Sequence, residues 1–176
     1  MKSNDFYFVF FLATHGVRPG EARALIHSDL DLKRGTVTVR RAFSGTELRP
    51  FTKPKRVRVL PLDASWLELY NQQTTPLDPD SFVFTRNGKP FSMTWASKKW
   101  REAADKAGFP NLNLYQATRH SLASQAVSRG ESLYSVSKFL GHTNTTQTER
   151  YSHLNTSALQ KIQRRATVIP LKRQTV

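Results

Sequence analysis

Cysteine is absent from this chain, which excludes disulfides, thiolate metal sites and cysteine nucleophiles and fits a reducing, cytoplasmic setting. Long hydrophobic runs are absent too. The apolar stretch from Phe6 to Ala13 is too short to span a bilayer, and it lacks the basic segment and cleavage pattern of a secretion signal. No P-loop, no cluster with metal-ligand spacing and no internal repeat is present. Acidic residues are scarce: 13 Asp plus Glu stand against 27 Lys plus Arg, a net charge of +14. A surplus of that size points to a polyanion partner, most simply nucleic acid. Charge alone leaves DNA, RNA and an acidic membrane surface open.

What is present suits one domain with a tail. Hydrophobic residues make up 38% of the 176, with eleven Phe and three Trp, enough for a sizeable core. A first helix is expected over about residues 5 to 14, capped by Asn4 or Asp5 and apolar nearly all the way round, hence buried on most sides. Gly16 breaks it. A second helix follows with Pro19 in its first turn, Ala22, Leu25 and Ile26 on one face, and Arg18 and Glu21 spaced to meet. Thr36 to Arg41 alternates as a strand, Val57 to Leu60 reads as another, and Ser81 to Phe84, closed by Asn87-Gly88, as a third. Together they predict one small antiparallel sheet.

Helices dominate the remainder. Asp63 or Ser65 caps one around Trp66 to Gln72. Ser92 or Thr94 opens another that runs to Gly108 and carries Lys98, Lys99 and Arg101, a basic face able to track phosphates or simply to stay solvated. Ala117 to Arg129 and Ser132 to Leu140 read as two more, stopped by Gly130 and Gly141. Thr146 and Glu149 form a capping box that places a helix start just ahead of Tyr151, with His142 on the preceding turn. Taken alone, that pair is most simply a packed tyrosine and a satisfied histidine. The fold class is mainly α with a small antiparallel β-sheet.

A side chain that attacks a phosphodiester needs cations on the non-bridging oxygens and a proton for the leaving 5′ oxygen. Arginine supplies the first as a planar fork, and lysine supplies the second as a transferable proton. Such groups occur here in a telling order: Gly16-Val17-Arg18-Pro19-Gly20-Glu21, Lys53 ahead of Arg58-Val59-Leu60-Pro61-Leu62, Arg119-His120-Ser121, Leu140-Gly141-His142, and Tyr151 nine residues later.

In that order the chain resembles the tyrosine recombinases, the phage-integrase family, over roughly residues 5 to 155. The resemblance implies that Tyr151 is the nucleophile of a 3′-phosphotyrosyl intermediate and that Arg18 and Arg119 clamp the phosphate. It makes His142 a phosphate ligand and Lys53 the general acid, with Lys55 the alternative if the loop register differs. Glu21 becomes an anchor for the arginine region. The implied partners are double-stranded DNA and other recombinase subunits, with no membrane, metal or nucleotide. Where the family usually has a histidine, three residues before its second arginine, this chain has Gln116. It can donate a hydrogen bond but cannot transfer protons near neutral pH. Ala117 replaces an acidic residue. Residues 1–155 are expected to form the catalytic domain and 156–176 a tail packing between subunits. The family's preceding DNA-clasping (core-binding) domain is expected to be absent from this chain, leaving weak DNA affinity and little site selection. Type IB topoisomerase chemistry and a non-cutting DNA-binding remnant are the rival readings.

Overall fold

The computed structural model describes residues 3–50, 57–72 and 78–142. Helix α1 (Ser3–His15) runs through the core. Tyr7, Phe8, Phe11 and Leu12 are buried, whereas Phe6 is half exposed. Phe11 and Tyr7 pack on Trp66 with ring centroids 4.9 and 4.8 Å apart, and Phe84 lies 5.1 Å from Phe11. Burying one such ring contributes about 1.5–3 kcal/mol, so this aromatic cluster anchors the domain. Helix α2 (Pro19–Arg23) is shorter than its apolar pattern predicts. Beyond it the chain turns through His27–Asp29, and Leu25 and Ile26 are held by the 81–84 segment instead of by a helix turn.

The strands correct the expectation of a single sheet. Strands β1 (Leu30–Asp31), β2 (Thr36–Val39) and, later, β5 (Arg58–Pro61) form a three-stranded antiparallel sheet in the order β1-β2-β5, with Val37 opposite Leu60 and Val39 opposite Arg58. Strands β3 (Arg41–Ser44) and β4 (Glu47–Pro50) form a separate hairpin. The run from Thr36 to Arg41 is therefore broken at Arg40. The cause is Asp29, a buried carboxylate bound by Arg40 Nε at 2.8 Å and by the Arg41 guanidinium. Neighbouring residues of a regular strand point to opposite faces, so both arginines reach one carboxylate only if the strand bends between them. Ser81 to Phe84 is not a paired strand either. Val83 N–H donates to the Leu25 carbonyl at 2.9 Å, His27 N–H donates to the Ser81 carbonyl at 3.1 Å, and only Ile26 and Phe82 bridge. The Asn87-Gly88 turn instead joins two short strands, β6 (Thr85–Arg86) and β7 (Lys89–Pro90).

Helix α3 (Ala64–Asn71) starts at Asp63, whose carboxylate accepts the Trp66 N–H at 2.9 Å. Helix α4 (Met93–Lys106) is capped by Ser92. What reads as one helix from Ala117 is in fact a π-helical turn, Gln116–His120, running into α5 (Ser121–Ser128). Helix α6 (Leu133–Leu140) follows, capped by Ser132 and ended by Gly141 in the left-handed conformation, φ 68°. Among the described residues no helix is long and apolar enough to cross a membrane.

His15, at the end of α1, is a buried titratable group. His15 Nε2 accepts the Asp63 backbone N–H at 3.1 Å, so Nδ1 carries the proton and donates to the Phe11 carbonyl at 3.1 Å. Burial lowers its pKa from 6.5 to about 4, against smaller opposing effects of the Phe11 hydrogen bond and the Asp63 charge. Below pH 6.5 the unfolded histidine takes up a proton that the folded one refuses until about pH 4. Stability is therefore expected to fall by about 3 kcal/mol as the pH drops through that window. Urea unfolding at both ends of it checks this. His15→Gln, whose amide oxygen can accept the same N–H, should flatten the slope; an unchanged slope would assign the acid sensitivity to other groups.

Candidate active site

The site grows from two chain reversals that meet. At the end of α1, Gly16 takes a left-handed φ of 59°, and a Cβ there would come within 2.9 Å of the Leu140 side chain. The reversal leaves the Gly16 carbonyl facing inward and sets Arg18 just ahead of α2. At the end of α6, Gly141 makes the second reversal. His142 N–H donates back to the Ser137 carbonyl at 3.0 Å and Gly141 N–H to the Lys138 carbonyl at 3.0 Å. Of the carbonyls a helix end leaves unpaired, that of Leu140 is taken by arginines.

Arg119 occupies the space between the two reversals. It is 1% exposed, and it donates to the Gly16 carbonyl at 2.6 Å and to the Leu140 carbonyl at 2.7 Å. Its Nε–H has no partner among the described residues. The π-helical turn carries it there, held by Thr118 Oγ1 donating to the Leu114 carbonyl at 2.8 Å. Glu21 is the buried counter-charge. Its carboxylate accepts from the Arg18 backbone N–H at 2.9 Å, from the Arg18 guanidinium at 2.9 Å and from Arg58 at 2.6 Å. The Arg18 side chain stays 42% exposed, so its outer edge faces open space. Asp29, the other buried carboxylate described above, serves Arg40 and Arg41 instead.

Three arginines, Arg18, Arg58 and Arg119, thus surround one carboxylate and one helix C-terminus. Burial lowers the Arg119 pKa to about 10, helped by the charges of Arg18 and Arg58 and opposed by Tyr115 and Glu21. Burial also lowers that of Arg58. The helix end contributes about half a negative charge, so positive charge remains in surplus where water is scarce. Such a cluster is suited to an anion with several oxygens, because forked guanidinium donors match phosphate geometry.

Gln116 stands on the same π-helical turn, exposed, with its amide oxygen accepting from Asn113 at 2.7 Å and its backbone N–H donating to the Asn113 side chain at 2.9 Å. That orientation leaves the Gln116 NH2 group as the donating end. Lys98, Lys99 and Arg101 lie on α4, away from this cluster in the chain. Lys98 and Arg101 are exposed, whereas Lys99 is paired with Glu102 at 2.6 Å. Lys53, Lys55 and Tyr151 lie outside the described residues, as do the Thr146–Glu149 capping box and the tail. Among the described residues no three His, Asp or Glu side chains gather as metal ligands would.

Arg58 is the residue that sequence reasoning passed over. Its strand alternates in the sense opposite to its hydrophobicity: Val57 and Val59 are 55% and 62% exposed, while Arg58 and Leu60 face inward. The available signal was parity, since Arg58 is in step with Leu60 and Leu62 and out of step with the valines.

This helix-rich fold with small antiparallel ladders is the fold of tyrosine recombinase catalytic domains. It superposes on the Tn1549 transposon integrase, solved in complex with transposon right end DNA, with a TM-score of 0.69 at 18% identity, covering 92% of this chain and 59% of that one. The phage integrase family matches residues 2–158, and the chain belongs to that family. Tyrosine recombinase XerC of Proteus mirabilis is 28% identical over 153 residues, 84% of this chain and 46% of its own length. Type 1 fimbriae regulatory protein FimE of Escherichia coli K12 is 25% identical over 177 aligned residues, 99% of this chain and 87% of its own. The chain therefore spans under half of XerC but most of FimE.

Proposed function

We propose that this chain carries the catalytic domain of a site-specific DNA recombinase or integrase, acting in the cytoplasm on double-stranded DNA together with further recombinase subunits. The observation that carries the reading is the arginine surplus around Glu21, an anion site built from separate chain segments. In the proposed reaction the Tyr151 phenol gives its proton to solvent water and its oxygen attacks the scissile phosphorus. A phosphotyrosyl O–P bond forms as the bond to the 5′ oxygen breaks. Lys53, or Lys55 in its place, protonates that oxygen as it leaves as a free 5′ hydroxyl. Arg18 and Arg119 neutralise the non-bridging oxygens, while His142 and Gln116 donate hydrogen bonds to them. A 5′ hydroxyl from another strand then attacks the phosphotyrosine, restores the phosphodiester and releases Tyr151. The bond energy is kept throughout, so the scheme calls for neither metal nor nucleotide.

Lys98 and Arg101 on α4 are assigned to the DNA backbone, with Lys99 joining them once Glu102 releases it. Residues 1–155 form the catalytic unit in this reading, and 156–176 pack against a neighbouring subunit. Support comes from family membership and from the XerC and Tn1549 names, which belong to a recombinase and to a DNA-bound integrase.

The test is a duplex nicked just beyond the cleavage point, so that the released fragment diffuses away and the covalent complex accumulates. A denaturation-resistant protein–DNA adduct is the expected result. Binding without an adduct would favour a non-cutting remnant, and relaxation of supercoiled DNA without strand exchange would favour topoisomerase chemistry. Gln116→His, which restores a titratable donor, should keep adduct formation equal or raise it a few-fold, about 2- to 10-fold. A drop of tenfold or more would mean that the Asn113–Gln116 pair does something a histidine cannot.

A further inference from the structure

Arg58 joins the two halves of the site. Its strand, β5, follows directly on residues 51–56, which include Lys53 and Lys55. One nitrogen of its guanidinium, Nη2, donates to Glu21 at 2.6 Å, and Glu21 in turn holds both the backbone and the side chain of Arg18. The other terminal nitrogen donates to the Leu140 carbonyl, which Arg119 also holds. The guanidinium lies against Gly141 so closely that a Cβ there would collide with it. Its side chain is only 13% exposed. A buried ion pair adds little net stability over a well-packed apolar replacement. What distinguishes Arg58 is that its fork joins the Glu21 carboxylate, which holds Arg18, to the Leu140 carbonyl at the turn that carries His142.

We propose that Arg58 is a positioning residue that locks Arg18, through Glu21, and the His142 turn, through the Leu140 carbonyl, into a single phosphate-facing unit. The inference rests on the function proposed above. Arg58 is far more buried than Arg18, 13% against 42% exposed, and each of its terminal nitrogens donates inward, so it acts through Arg18 and His142 and not on the phosphate. A lysine in its place carries the charge but only one point of attachment. It can hold Glu21 or the Leu140 carbonyl, but not both in the fork geometry.

The test uses the full-length protein and the nicked duplex, comparing Arg58→Lys with the parent at saturating DNA. Arg58→Met serves as the harsher variant, with thermal melting to report whether each folds. Expected for Arg58→Lys is a fall of about 10- to 100-fold in the rate of adduct formation, with Kd for DNA changed by less than about threefold. The decisive readout replaces a non-bridging oxygen of the scissile phosphate by methyl. That substrate lacks the negative charge Arg18 and His142 would be positioned to meet, so the variant's defect should shrink to a few-fold, about threefold or less. Equal losses on both substrates, or a lysine variant as fast as the parent, would overturn the proposal.

Histidine NMR on the DNA-free protein gives a second measurement that does not depend on cleavage. The His142 ring signals should move in Arg58→Lys while those of His15 stay in place; unmoved His142 signals would overturn the link. Failure of the functional reading looks different: the parent itself would form no adduct on either substrate, whatever the NMR shows.

Discussion

Tyr151→Phe is expected to bind DNA with a Kd within about threefold of the parent and to form no covalent adduct on the nicked duplex, a loss of at least about 10^3-fold. The phenol oxygen is the only atom removed, and in the proposed scheme it is the atom that forms the bond to phosphorus. Nothing else in the arginine cluster can take over, because guanidinium is a poor nucleophile that stays charged. Gel separation under denaturing conditions measures the adduct directly. An adduct that persists in Tyr151→Phe would transfer the nucleophile's role to another side chain and leave the rest of the site to be reassigned.

Glu21→Gln is expected to cost about 3–5 kcal/mol of folding stability, the range for removing one partner of a buried ion pair. The amide keeps the shape of the carboxylate but not its charge. Arg58 would then remain buried beside Arg119 with the α6 C-terminus as their nearest negative pole. Urea unfolding measures the loss. Adding Arg58→Met to Glu21→Gln should recover part of it, with a coupling of about 1–3 kcal/mol, because the pair shares two hydrogen-bonded charges in contact. A loss below about 1 kcal/mol for Glu21→Gln would mean that solvent, and not Glu21, balances the arginines.

Local chemistry was the most readable part of the chain. Asp63, Ser92 and Ser132 cap helices where the sequence allows them to, because capping depends on a side chain and an amide two or three residues on. Gly141 ends α6 in the left-handed conformation for the same local reason. Arg18 and Glu21 meet across three residues, as their spacing permits. The errors came where distant groups overrode local preference. Asp29 draws Arg40 and Arg41 to one point and breaks a strand that alternates well. The Leu25 carbonyl and His27 N–H occupy the backbone of the 81–84 segment, which its apolar residues mark as a strand. The π-helical turn at Gln116–His120 has no period of its own to betray it, and it is visible only with Arg119 bound to Gly16 and Leu140.

By itself the sequence determined the family, through the order and spacing of Arg18, Lys53, Arg119, His142 and Tyr151. It pointed to a polyanion partner through its charge, and it set most helix boundaries through caps and glycines. Only the tertiary structure decided what surrounds the arginines. That Glu21 answers Arg58 as well as Arg18, and that the Leu140 carbonyl answers Arg58 as well as Arg119, depends on Arg58 lying 37 residues from Glu21 and 82 from Leu140 along the chain. The physical reason is desolvation. A buried charge must find its partners wherever the fold brings them, and hydrophobic periodicity does not encode which distant carbonyl or carboxylate that will be.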